Sequence, residues 1–344
     1  MKIKEILKKL VSFNTIRDKE NKEIIDFIED YLKQFGFWTE RVEKCLIAKN
    51  SENPNIAFIG HTDTVDYESW DGDPFTVLEV GNKLIGLGTC DMKGGIAAIL
   101  SAISKVDLEK NRIALYFTND EEISFDGIKN ICDLVVEPNI LIGEPTNNIP
   151  VCGTKGLLNL NINFYGKKVH SSVPEKGVNA IYECMDFVFE LREFYKTDLM
   201  MDIDSNFKVP YTSMNIGMIN GGETENSVPG KCSITVDFRI NKESDIEKIL
   251  SKVKEVLNSY ESELVIEHNV VPKLNESNIG FLESISASKE TANYFTEASF
   301  IESDNIIILG PGPVSAHEKN EYITFDSLLK SEELYISIIE FYND

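Results

Sequence analysis

The order of apolar patterns along the chain constrains its fold more than any other feature. Residues 3–11 place Ile3, Ile6, Leu7, Leu10 and Val11 at helical spacing with lysines between them, and a second amphipathic stretch follows at Ile24, Ile25, Phe27, Ile28, Tyr31 and Leu32. Short apolar runs at 56–59, 83–85, 113–117 and 139–142 then read as strands, and 94–106 as a helix. This alternation predicts a mostly parallel sheet with helices on both faces. From about Lys155 the order changes: strands at 158–164, 212–219, 233–240 and 264–268 are interleaved with helices at 180–195 and 246–260. Strand-helix-strand-strand-helix-strand is the order of a ferredoxin-like α+β sandwich. After about Val271 the first pattern resumes, with a helix expected near 283–295, an apolar run at 306–309 and a closing helix from Asp326. The expected division is a catalytic domain of residues 1–154 and 271–344, interrupted by an inserted domain of residues 155–270.

A chain of 344 residues also exceeds the roughly 250 to 300 at which one core stops growing. Its 34 basic and 57 acidic residues give a formal net charge of −23. Phosphate-backbone affinity comes from cationic side chains, so nucleic acid is excluded as a main partner. No apolar run approaches the roughly 18 residues of a membrane span, and the lysines among the first apolar residues argue for a core-facing helix. Six cysteines are scattered without a C-x-x-C pair, which fits reduced thiols and a cytoplasmic location.

The side chains able to bind metal follow the strand candidates. His61 and Asp63 (GHTDTV) come after the run at 56–59, Glu121 and Glu122 (TNDEE) after 113–117, and Glu144 (GEP) after the run ending at 142. His317 (GPGPVSAHE) follows 306–309, and Asp91 (GTCDMKGG) lies between a strand and a helix start. The carboxyl ends of parallel strands form one rim, where ligands and catalytic groups collect. Two histidines with several carboxylates suit zinc, cobalt or manganese, and there are more carboxylates than one tetrahedral shell can use, which suggests two ions sharing a bridge. The bland alternatives are a histidine packed beside a sheet, acidic helix caps, and a solvated Glu121–Glu122 pair in an acidic protein. The pair His61-x-Asp63 argues against them, because a metal-bound imidazole usually gives its second N–H to a carboxylate. Spacing alone does not separate Glu121 from Glu122.

Competing motifs fail. GLGTCDMKGG has Gly86 and Gly88, but Asp91 stands where the dinucleotide fingerprint needs its third glycine, and the Gly-Lys-Ser/Thr of a P-loop is missing. In HEKNE, Glu321 occupies the place of the second histidine of H-E-x-x-H.

The ordered series GHTDTV, WDGDPF, GLGTCDMKGG, DEE, GEPT, GKKVHSSVPEKGVNAI and GPGPVSAHEKNEY resembles that of the dinuclear metallohydrolases that include acetylornithine deacetylase, succinyl-diaminopimelate desuccinylase and aminoacylase. The resemblance spans about residues 56 to 325. It implies an aminopeptidase-like α/β domain interrupted by a dimerisation lid, two divalent metal ions such as zinc or cobalt, and a homodimer. It makes His61 and Glu144 ligands of one ion, Glu122 and His317 ligands of the other, Asp91 the bridge, Glu121 the general base and Asp63 the partner of His61. It further implies a cis peptide after Asp91, and it carries His170 to the neighbouring subunit's active site; the alternative for His170 is a surface residue near a helix start.

Arg239 (VDFRI) and Asn226 (ENSVPG) match positions that in the family contact the substrate carboxylate; for Arg239 the alternative is a structural ion pair. The segment NYFTEASFI resembles the acetylornithine deacetylase branch, and Glu297 within it suggests a preference for a cationic side chain. The expected activity is hydrolysis of an N-acyl amino acid, with N-acetylornithine favoured. A desuccinylase or dipeptidase on the same scaffold is the alternative, and a non-catalytic binding protein is disfavoured because each ligand position and the base are filled.

Overall fold

The computed structural model describes all residues except 17–18, 68–69, 276–279 and 285–289. It divides into two compact units: Met1–Cys152 with Asn275–Glu290 and Phe300–Asp344, and Gly153–Leu274 with Thr291–Ser299.

The central sheet of the first unit runs in the order Trp38–Val42, Cys45–Lys49, Ile113–Thr118, Ile56–His61, Ile140–Ile142, Ile306–Ile308. The last four strands are mutually parallel. The first two form an antiparallel hairpin against Ile113–Thr118. Ile56–His61, Ile113–Thr118 and Ile140–Ile142 are buried throughout, which explains why they read as continuous apolar runs rather than alternating ones. Helix Ile3–Val11 buries the five apolar residues expected of it. Helix Lys93–Ile103 is buried on all sides and packs against both Ile3–Val11 and the closing helix Phe325–Asn343. Gly95 lets this helix lie close against the end of strand Ile140–Ile142, because a Cβ there would lie 2.0 Å from the carbonyl oxygen of Gly143, the residue before Glu144.

The second unit is a four-stranded antiparallel sheet in the order Ser213–Gly221, Lys231–Ile240, Gly156–Tyr165, Ser262–Val270. Numbered along the chain this is 2-3-1-4, the ferredoxin-like arrangement expected. Leu158, Leu160, Ile162 and Phe164 alternate inward and meet Cys232, Ile234, Val236 and Phe238, with helices Ala180–Phe194 and Glu243–Leu257 contributing Phe187, Leu191, Ile249 and Val253 to the same core.

Two expectations need correction. A helix over 283–295 is not seen: helix Gly280–Ser284 is short, residues 285–289 lie outside the described residues, and Glu290–Ala292 is a strand. The stretch Thr291–Ser299 clusters with the second unit rather than with the catalytic domain. Side chains tie it there: Thr291 Oγ1 donates to the Asn206 carbonyl at 2.6 Å, and Asn293 Oδ1 accepts from Val209 N at 3.1 Å.

Candidate metal centre

His61 ends a buried strand, and the chain leaves it through Thr62 and Asp63, all three buried. Glu121 and Glu122 follow the neighbouring parallel strand, Glu144 the next, and His317 the loop beyond Ile306–Ile308. Asp91 stands just before the buried helix Lys93–Ile103 and is joined to Met92 by a cis peptide.

Asp91 is the hub. Its Oδ1 lies 2.9 Å from His61 Nε2, and its Oδ2 lies 3.6 Å from His317 Nε2. His61 Nε2 is also 3.6 Å from a Glu144 oxygen, and His317 Nε2 is 3.2 Å from Glu122. Three groups of donor atoms each fall within 4.8 Å: His61 with Asp91 and Glu144, Asp91 with Glu122 and His317, and His61 with Glu121 and Glu122. The structure thus brings six of the expected residues together: His61, Asp91, Glu121, Glu122, Glu144 and His317. Glu122 faces His317, a distinction the adjacent position of Glu121 in the sequence did not reveal.

Asp63 serves its neighbours in two ways. Its main-chain oxygen is 3.1 Å and its carboxylate 3.5 Å from His61 Nδ1, while Oδ2 accepts from the Glu122 amide at 3.0 Å. The main chain of Asp63 thus meets the His61 ring while its side chain holds the backbone at Glu122.

The electrostatics fit a cation. Burial alone would depress the His61 imidazolium, but Glu144, Asp63 and Asp91 outweigh it and raise its pKa well above the usual histidine value. The hydrogen bond to Glu122 takes His317 up to about 9, against its partial burial. Burial, reinforced by Glu144, Glu122 and Asp91, raises Glu121 well above the ordinary carboxyl range, and burial with Asp91 raises Glu122. A cluster that binds protons this readily has an excess of negative charge, and divalent cations between imidazole nitrogens and carboxylates would relieve it.

Two buried residues beside the centre were not expected to matter. Lys93 of DMKGG is fully buried and donates to the Phe13 carbonyl at 2.9 Å. Glu321, read in the sequence only as a failed zinc motif, accepts from Cys90 N at 3.0 Å.

The remaining candidates lie in the second unit. His170 is exposed, its Nδ1 2.8 Å from the Ser172 hydroxyl. Asn226 is close by, its carbonyl accepting from Ser171 N at 3.0 Å, and His170 bridges to Ser227. Arg239 makes an ion pair with Asp237 at 3.0 Å, two residues along its own strand. Glu297 opens a short 3₁₀ turn and is fully buried.

Comparison with known proteins bears on the family and the fold. Residues 152–264 match the model of a peptidase dimerisation domain. An acetylornithine deacetylase from Photorhabdus laumondii is 32% identical over 353 aligned positions, covering 94% of this chain and 91% of the relative. The chain belongs to the acetylornithine deacetylase and succinyl-diaminopimelate desuccinylase family of metallohydrolases. Solved structures share the fold: a tripeptidase from Staphylococcus aureus has a TM-score of 0.82 at 18% identity, covering 99% of this chain and 98% of that one. An M20 family metallo-carboxypeptidase from Sulfolobus solfataricus has a TM-score of 0.80 at 16% identity, covering 100% and 99%. The chain is accordingly a metal-dependent amidohydrolase with a mixed α/β fold. Among the described residues, no helix is long and apolar enough to cross a membrane.

Proposed function

We propose that the protein removes the acyl group from an N-acyl amino acid, with N-acetylornithine the favoured substrate and ornithine and acetate the products, a step of arginine synthesis in the cytoplasm. The observation that carries the dinuclear reading is that the two oxygens of Asp91 each face a different imidazole, His61 on one side and His317 on the other. In this reading His61 and Glu144 hold one ion, Glu122 and His317 the other, and Asp91 bridges them. Zinc or cobalt suits the mixed nitrogen and oxygen donors.

Bound divalent cations supply Lewis acidity toward the acyl oxygen and make water acidic enough to attack near neutral pH. Glu121 takes the proton as water attacks. It then delivers that proton to the amine nitrogen as the C–N bond breaks, so the proton lost by water leaves on the product. Asp63 fixes the His61 ring and the Glu122 backbone, holding donors on both sides of the bridge. His170 supplies a second donor toward the developing oxyanion in the partner's active site, and Asn226 and Arg239 meet the substrate carboxylate.

Dimerisation through the second unit is supported by its match to a peptidase dimerisation domain. Its helix Ala180–Phe194 also presents Tyr182, Met185 and Phe189 on one face, with Tyr182 and Phe189 each 66% exposed, and Met218 and Ile219 project from the edge strand Ser213–Gly221. Exposed apolar side chains concentrated on one helix and an unpaired strand edge are features of a protein interface.

The substrate reading rests on the Photorhabdus relative and on the Thr296-Glu297-Ala298 segment. The test is a panel of acetyl, succinyl and dipeptide substrates at equal concentration, with and without chelator. Chelator-sensitive turnover that is fastest on N-acetylornithine is expected. Faster turnover of a succinylated substrate or a dipeptide would move the assignment elsewhere within the family, and Glu297→Gln is expected to weaken the preference for acetylornithine over acetylated neutral amino acids.

A further inference from the structure

Glu321 is 1% exposed, and burying a carboxylate is costly unless it is paired and hydrogen-bonded. Its Oε1 lies 3.0 Å from the amide nitrogen of Cys90 and 3.5 Å from that of Asp91. The same residue's carbonyl accepts from Gly86 N at 3.2 Å and from Thr89 Oγ1 at 3.4 Å. One glutamate thus holds the backbone of the segment 86–91 at several points, up to Asp91 itself. The clasp is reciprocated: the Cys90 thiol donates to the Pro313 carbonyl at 3.5 Å and accepts from Ser315 N at 3.3 Å. The Ser315 hydroxyl in turn closes the loop on Tyr322, donating to its carbonyl at 2.8 Å and accepting from its amide at 2.9 Å. His317 lies inside that closed loop.

We propose that Glu321 is a positioning residue that sets the spacing between Asp91 and His317, and so tunes how tightly the ion on the His317 side is held. The inference rests on the dinuclear reading above. It goes further in assigning a metal-site role to a residue that binds no ion and touches no substrate. Outer residues that orient metal ligands are commonly worth 10- to 100-fold in metal affinity. The carboxylate oxygen, acting as acceptor for the main chain beside Asp91, is the functional element.

The test is titration of metal-free protein with cobalt, followed by calorimetry and by visible absorption, which reports ligand geometry independently of activity. The parent is expected to bind two ions. Glu321→Ala should weaken the second by about 10- to 100-fold and change its absorption spectrum, while the first ion shifts by less than about threefold. Glu321→Gln keeps an acceptor oxygen and should restore most of the second-ion affinity. Should Glu321→Ala not fold, Glu321→Asp, which is one methylene too short to reach the same amides, must show the selective loss. Two ions bound as tightly by Glu321→Ala (or by Glu321→Asp in its place) as by the parent would overturn the proposal while leaving the dinuclear reading intact. So would a Glu321→Gln variant as weak as Glu321→Ala, or equal loss of both ions. A parent that binds fewer than two ions would instead overturn the dinuclear reading itself.

Discussion

Both units bury ionisable groups, but they treat them differently. In the second unit two buried charges meet their own partners: Asp245 accepts from the Thr212 hydroxyl at 2.5 Å and pairs with Lys248, and Lys155 donates to the Tyr211 carbonyl at 2.9 Å. In the first unit Asp91, Glu121, Glu122 and Glu144 crowd around two imidazoles, and several of them raise one another's pKa. Like charges brought together in a folded interior are costly unless something positive joins them. The contrast separates polar groups that complete a fold from polar groups arranged for a cation.

Several substitutions would break or sharpen this contrast. The largest effect is expected for Glu121→Gln, which should lower kcat by about 10²- to 10⁴-fold with two ions still bound; loss of an ion instead of rate would make Glu121 a ligand. Next, His170→Ala should lower kcat by about 10²-fold without changing metal content. Mixing it with Glu121→Gln protein should restore activity, because a mixed dimer has one site with both groups intact; no recovery after subunit exchange would contradict a role across the interface. A core change in the second unit should affect stability alone. Leu160→Ala is expected to cost about 2 to 5 kcal/mol by denaturant melting, and a changed metal stoichiometry would show that the two regions are not separable in this way.

The smallest effect belongs to a peripheral pair. The Lys33 ammonium at 2.6 Å, with Arg41 and Thr39, holds Glu29 down at about 2. Because the folded value lies below the ordinary 4.5, the stabilisation is complete above that pH and fades as pH falls toward about 2. Glu29→Gln should therefore cost less than about 1 kcal/mol at neutral pH, and the difference between variant and parent should vanish in acid. A difference that grew on acidification would refute the assignment.

Much of this arrangement was legible in the sequence, because continuous apolar runs mark buried parallel strands and the residue just past each run must lie at the sheet's rim. The ferredoxin-like block was legible for a different reason: alternation at period two, as in Leu158, Leu160, Ile162 and Phe164, is hard to mistake. Other parts were hidden. The strand Trp38–Val42 has no fully buried residue and so carries little apolar pattern. The Thr291–Ser299 stretch is held by side chain to main chain bonds from Asn206 and Val209, partners more than 80 residues away in sequence. Spacing alone left Glu121 and Glu122 indistinguishable; the family resemblance gave them different roles, and the contact of Glu122 with the distant His317 sets them apart in space. Glu321 was overlooked because its value lies in accepting main-chain hydrogen bonds, which leave no mark in a motif.

The most direct measurement is anomalous diffraction at the zinc edge from crystals grown with excess zinc. Two peaks are expected, one on each side of the Asp91 carboxylate, the first within bonding reach of His61 and Glu144 and the second within reach of Glu122 and His317. A single peak, or peaks away from Asp91, would contradict a shared-carboxylate pair of cations as the basis of this enzyme's chemistry.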